Sequence, residues 1–180
     1  MITAEAYRLL AERFEAVVAA TPEDRWASPS PCAGWSAGDV VDHVVDSERE
    51  FLSRVGFDAP SVEGLDRLAA WRAVREAVQA VLDGAAAERE YDGYFGRTNV
   101  AATVGRFYVP DLVIHRWDLA RATGQTAAER IDGDEIALVR EAWAPLGDNL
   151  RQPGVFGPAR DVPDDADEQV ELLAFAGRAA

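Results

Sequence analysis

The sequence predicts an all-α protein, a helical bundle closed by short additional helices near its end. Three observations carry this. Four long segments repeat apolar residues at helical spacing, no series of alternating apolar and polar residues suggests a sheet, and 180 residues with 48% apolar content are enough for one domain with a real core. We therefore read residues 1–180 as a single helical domain.

Residues 4–20 place Ala6, Leu9, Leu10, Phe14, Val17 and Val18 on one face, and Thr21-Pro22 stops that helix. The next stretch, TPEDRWASPSPCAGW, holds three prolines and many small residues, the composition of an ordered loop. Loops this long in compact domains are often functional. Ser36 is a suitable N-cap for a second helix that carries His43 and ends near Gly56 and Pro60. A third helix is expected over Glu63 to Asp83, with Gly84 as its stop. Residues 85–104 read as irregular, with turn signals at Asp92-Gly93 and Gly96 that allow a short hairpin. A fourth helix follows from about Val100 or Gly105 to Ala122, ending at Gly124; Pro110 inside it should kink it or mark its true start. Residues 134–150 suggest a fifth helix, RQPGVFGPARDVPDD a loop, and residues 167–176 a terminal helix.

Composition narrows the function. Eighteen basic and 32 acidic residues leave a net charge of −14, which disfavours nucleic acid and anionic membranes as partners and favours a small-molecule substrate. All basic residues are arginine, so Schiff-base, lysine-base and P-loop lysine chemistry is excluded. Cys32 is the single cysteine and cannot form an internal disulfide; with no apolar run long enough to span a membrane and no secretion signal, a cytoplasmic location is expected. No heptad or apolar stripe specifies a dimer, and a homodimer stays open.

Asp111 and His115 are four residues apart, so on a helix both side chains project from one face and can reach one ion. Tyr108, Leu112 and Leu119 lie near them on the helical wheel, in surroundings where an unpaired carboxylate is costly. On spacing alone, an Asp–His hydrogen bond or an exposed i,i+4 pair is the preferred reading of the two residues. His43 lies beside the apolar stripe of its helix, on a strip with Ser47, Glu50 and Arg54, which either faces water or lines a cleft. If the second and fourth helices pack together, two imidazoles and a carboxylate meet with coordination positions left open, as at catalytic metals.

Two segments resemble a known family. Pro31-Cys-Ala-Gly-Trp35-Ser-Ala-Gly-Asp-Val-Val-Asp-His43 is similar to a motif of actinobacterial proteins of the DinB superfamily, and Asp111-Leu-Val-Ile-His115-Arg-Trp117-Asp118-Leu119-Ala-Arg-Ala-Thr-Gly124 to a second. The tail from Arg151 to Arg178 also resembles theirs. The resemblance implies a DinB-like four-helix bundle similar to the metal-binding domain of mycothiol-dependent maleylpyruvate isomerase. It implies a divalent metal, zinc or else nickel, held by His43, Asp111 and His115, and mycothiol as thiol cofactor of a transferase or isomerase acting on a small electrophile. A metal-binding protein without turnover and a thiol-independent enzyme on the same scaffold are the competing readings. The isomerase has Glu where this chain has Asp111, which retracts the carboxylate by one methylene, and its C-terminal domain is not expected within 180 residues.

Around this set, Asp118 is expected to orient an imidazole or cap a helix, and Trp35 and Trp117 to anchor the core. Cys32 reads as a small buried residue with a thiolate role as the alternative. Glu48 and Glu50 are candidate general bases, and Arg49, Arg54, Arg106 and Arg116 candidate carboxylate binders.

Overall fold

A computed structural model describes residues 3–151 and 158–179. The expected helices are present. They are α1 (Thr3–Ala20), α2 (Ala37–Arg54), α3 (Arg67–Asp83), a one-turn α4 (Val100–Thr103), α5 (Val109–Thr123), α6 (Gly133–Trp143) and α7 (Glu168–Phe175). A two-stranded antiparallel hairpin, β1 (Glu90–Gly93) and β2 (Gly96–Asn99), pairs Glu90 with Asn99 and Gly93 with Gly96.

Helices α1, α2, α3 and α5 form the bundle. Both α1 and α2 pack between α3 and α5, so α1 and α2 lie diagonally across the core. Tyr7, Phe14, Val41, Phe51, Leu52, Trp71, Val74, Leu112 and Trp117 fill the interior and are almost completely shielded from water. Phe14 and Trp71 meet edge to face at 5.1 Å, a favourable aromatic geometry. Helix α6 packs on α5, and α7 on α6.

Local chemistry sets the helix ends. Ser36 caps α2 through a reciprocal box: its hydroxyl accepts the Asp39 N–H, and the Asp39 carboxylate accepts the Ser36 N–H at 2.8 Å. The third helix starts at Arg67, four residues later than the sequence suggests. Gly64 adopts φ +76°, which holds residues 61–65 in a turn, and the Asp66 carboxylate caps the helix by accepting the Ala69 N–H. The fifth predicted helix is also shorter: its α-helical part stops at Trp143 and continues as a tighter 3-10 segment (Ala144–Arg151) broken at Gly147. Residues 152–157 of the predicted loop lie outside the described residues.

Pro110 is accommodated without breaking the chain's helical course. A π-helical turn, Val104–Tyr108, joins α4 to α5, and the Val109 N–H donates to the Val104 carbonyl five residues back. A proline ring crowds the carbonyl four residues before it, and the wider turn relieves that crowding. The turn therefore re-aims the start of α5, where Asp111 sits. Gly124, at φ +76°, ends that helix in the left-handed conformation.

Candidate metal centre

His43, on α2, and Asp111 and His115, on α5, converge because α2 packs on α5. The Asp111 carboxylate lies between the imidazoles: its Oδ1 is 3.3 Å from His115 Nε2 and its Oδ2 is 3.7 Å from His43 Nε2. Two atoms each bonded at roughly 2.0–2.1 Å to one tetrahedral ion sit roughly 3.3 Å apart. The two separations run to different oxygens of the carboxylate, and each is near that value. One donor atom from each residue lies within 4.8 Å of the other two.

The side chains are graded in exposure. His115 is 6% exposed, Asp111 30% and His43 37%, so the set lies at the floor and wall of a cleft. Of the polar strip, His43 and Ser47 line the cleft, whereas Glu50 faces water. Burial opposes ionisation of Asp111, yet the two adjacent imidazoles outweigh it and hold its carboxyl below the usual range. Burial likewise works against a charged His115, but the Asp111 carboxylate, followed by the hydrogen bonds that His115 makes with Asp118 and Cys32, raises its pKa.

Behind His115 the structure adds a second layer. Asp118, fully buried, is 3.0 Å from His115 Nδ1 through its Oδ2. A carboxylate only accepts, so Nδ1 carries a proton and donates it; in the neutral ring that a metal would require, Nε2 is then the nitrogen that holds the lone pair. That lone pair faces Asp111 and His43. Arg178 from the tail grips Asp118 bidentately, Nε to Oδ1 at 3.2 Å and Nη2 to Oδ2 at 2.8 Å. Cys32 completes the layer, its Sγ 3.4 Å from Asp118 Oδ2 and 2.9 Å from Arg178 Nη2. Cys32, His115 and Asp118 also form a metal-capable trio by distance, but the guanidinium already occupies both the sulfur and the carboxylate. The His43 set is the one whose donors face open space.

A cavity of about 700 Å³ opens onto that set. Trp35 forms part of its wall, its ring 4.8 Å from His43 and 6.0 Å from His115, nearly parallel to the latter. Trp35 thus does more than the anchoring expected from sequence, whereas Trp117 is buried core. Tyr108 and Ser47 line the same cavity, and burial pushes the Tyr108 phenol pKa up, keeping it protonated and able to donate. Arg160 and Arg178 stand on the tail side. Arg178 is the residue sequence reasoning missed.

The two candidate bases fall elsewhere. Glu48 is buried in the core, where the Tyr7 hydroxyl donates to its Oε2 at 2.6 Å, and Glu50 is exposed. Neither lines the cavity. Of the candidate carboxylate binders, Arg116 is spent on buried Glu135 at 2.8 Å, and Arg49 holds Asp46 and the Pro60 carbonyl.

Residues 7–67 match the mycothiol maleylpyruvate isomerase N-terminal domain. The match covers about a third of the chain. It carries α1, the loop with Cys32 and Trp35, and α2 with His43, and stops before Asp111. An uncharacterised protein of Mycobacterium tuberculosis, found in two strains, is 29% identical over 182 residues, covering 96% of both chains. A second uncharacterised protein of that organism is 26% identical over 204 residues, covering 91% of this chain and 77% of its own. No solved structure matches.

Proposed function

We propose that the chain binds one divalent metal, zinc in the first instance, through His43, Asp111 and His115, and uses it with mycothiol in a thiol transfer or thiol-assisted isomerisation of a small electrophile. The observation that carries this reading is the spacing of three donors around one point, together with the buried Asp118 that presents His115 Nε2 to that point. The mycothiol part is supported by the domain family that residues 7–67 match. Three protein ligands leave coordination positions for substrate, the arrangement of catalytic zinc rather than structural zinc. A metal held there supplies Lewis acidity, which lowers the pKa of a bound thiol into the neutral range.

The protein's own residues do the rest. Asp118 and Arg178 fix the His115 ring, so ligand orientation does not depend on the entering substrate. Asp111 contributes the one negative charge among the three donors. Trp35 shields one side of the histidines from water, and Tyr108 offers a hydroxyl proton to an oxygen that gains charge during reaction.

The test begins with metal content of untagged protein by elemental analysis, because a histidine tag would add ligands. About one zinc per chain, lost in His43→Ala and His115→Ala variants that remain helical by circular dichroism, supports the site. The loaded protein is then given mycothiol and 1-chloro-2,4-dinitrobenzene, and separately mycothiol and maleylpyruvate. Turnover that needs both metal and thiol supports the reading. Absence of metal after incubation with zinc overturns it, and turnover that is unchanged without mycothiol overturns its thiol part.

A further inference from the structure

A second cavity, of about 480 Å³, adjoins the candidate metal centre: Phe107, Tyr108 and Leu150 line both. Its far wall is the β1–β2 hairpin with Tyr91 and Phe95, and two arginines complete it, Arg54 from the last turn of α2 and Arg106 from the π-helical turn. Phe95 and Phe107 stack at 5.9 Å with nearly parallel rings, and Phe107 and Tyr108 line both cavities, so aromatic side chains extend from the hairpin to the metal cleft.

The charge pattern is unusual for this protein. In a chain of net charge −14, most arginines already hold a carboxylate: Arg8 with Asp83, Arg13 with Glu135, Arg67 with Asp42, Arg72 and Arg75 with Glu15. Arg97, at the rim of the second cavity, holds Glu90 at 2.7 Å. Arg54 and Arg106 have no carboxylate partner among the described residues. Asp92 is the one acid on the lining among those residues, and neither arginine pairs with it. Two guanidiniums without counter-charge, set on aromatic walls, fit a ligand with one anionic end and a flat apolar body. The π-helical turn that places Arg106 also places Tyr108, which ties this subsite to the chemistry next to it.

We propose that this annex is the specificity subsite for the electrophile, which is an aromatic carboxylic acid: its carboxylate pairs with Arg54 and Arg106, its planar body lies along Phe95 and Phe107, and its reactive end points across Tyr108 to the metal cleft. The assignment of an electrophile rests on the function proposed above. Binding of the acid does not need the metal.

Cinnamate and its neutral counterpart cinnamide are the probes, titrated into the full-length untagged protein by calorimetry, both zinc-loaded and after treatment with a chelator. Cinnamate is expected to bind at least tenfold more tightly than cinnamide in both preparations. Arg54→Gln/Arg106→Gln should remove at least tenfold of the cinnamate affinity and leave zinc content and cinnamide binding unchanged, whereas Arg25→Gln, outside the cavity lining, should change nothing. Phe95→Ala should weaken both probes. Equal binding of acid and amide, or cinnamate binding indifferent to the double substitution, overturns the proposal. So does cinnamate binding found only in the zinc-loaded protein, since that places the carboxylate on the metal. A protein that takes no zinc but still discriminates the two probes through Arg54 and Arg106 would refute the metal reading and leave the annex standing.

Discussion

Replacing Glu48 by Gln should change the pH dependence of stability and leave metal binding intact. Glu48 on α2 lies in the bundle core, 1% exposed; the Tyr7 hydroxyl satisfies Oε2, and Oε1 has no partner among the described residues. Burial raises its pKa from 4.5 to about 8, with the nearby Asp111 charge acting in the same direction and the Tyr7 hydrogen bond against it. The folded pKa exceeds the unfolded one, so the folded state binds more protons across that window. The contribution of Glu48 is fully present below about pH 4.5 and is lost as pH rises to about 8. At roughly 1.4 kcal/mol per pH unit over this shift, the loss approaches about 5 kcal/mol as an upper bound. Gln mimics the neutral acid and does not titrate. In urea denaturation under chelating conditions, the variant should match the wild type near pH 5 and exceed it by several kcal/mol at pH 8.5. Subtracting the two curves cancels the opposing titrations of Asp111 and His115. A difference that is flat from pH 5 to 8.5 would refute the reasoning, because Glu48 would then be ionised in both states. Zinc content and any thiol-dependent turnover should persist, since Glu48 does not line the cleft.

Asp118→Asn should weaken zinc binding by about 10- to 100-fold in competition with a chromophoric chelator, because the amide no longer dictates which His115 nitrogen is free. Glu135→Ala should cost about 3–5 kcal/mol in urea denaturation, since it leaves the buried Arg116 guanidinium without its carboxylate, while zinc content stays at one per chain. Tyr7→Phe removes the hydroxyl that donates to Glu48 and should cost about 1–3 kcal/mol at neutral pH. Gly124→Ala forces a side chain into the left-handed region and should cost about 1 kcal/mol by the same measurement.

How much of this was readable in the sequence follows from sequence distance. Ser36 and Asp39 cap α2 within one turn, so three-residue spacing reveals the helix start. Asp111 and His115 are likewise a local pair, and helical geometry alone puts them on one face. The start of α3 was misjudged because acidic Glu63 suits a first turn as well as a loop, and only the positive φ of Gly64 separates the two. Pro110 signalled an irregularity, but a kink and a π-helical turn share that signal; the turn exists because α4 and α5 must both pack on the bundle. His43 could be joined to Asp111 only by knowing that α2 packs on α5, which periodicity does not encode. The Arg178–Asp118 contact spans 60 residues, and nothing local to either residue announces it.

The arrangement around His115 has an electrostatic consequence that none of its residues has alone. Asp118 would be an expensive buried charge without Arg178, and Arg178 would be an equally expensive one without Asp118. Paired, they cancel at long range while still holding the His115 proton on Nδ1. The three donors then carry a single negative charge, that of Asp111, because both histidines are neutral when they act as ligands. A divalent ion there makes the centre net positive by about one charge, inside a protein whose total is strongly negative. Such a centre favours a thiolate over a thiol and draws an anionic substrate inward against the field of the surface. Had Asp118 lacked its arginine, the second carboxylate would have cancelled that excess. The tail contact would therefore be part of the proposed site's chemistry, and Arg178→Gln should weaken zinc binding although Arg178 is not one of the three donors.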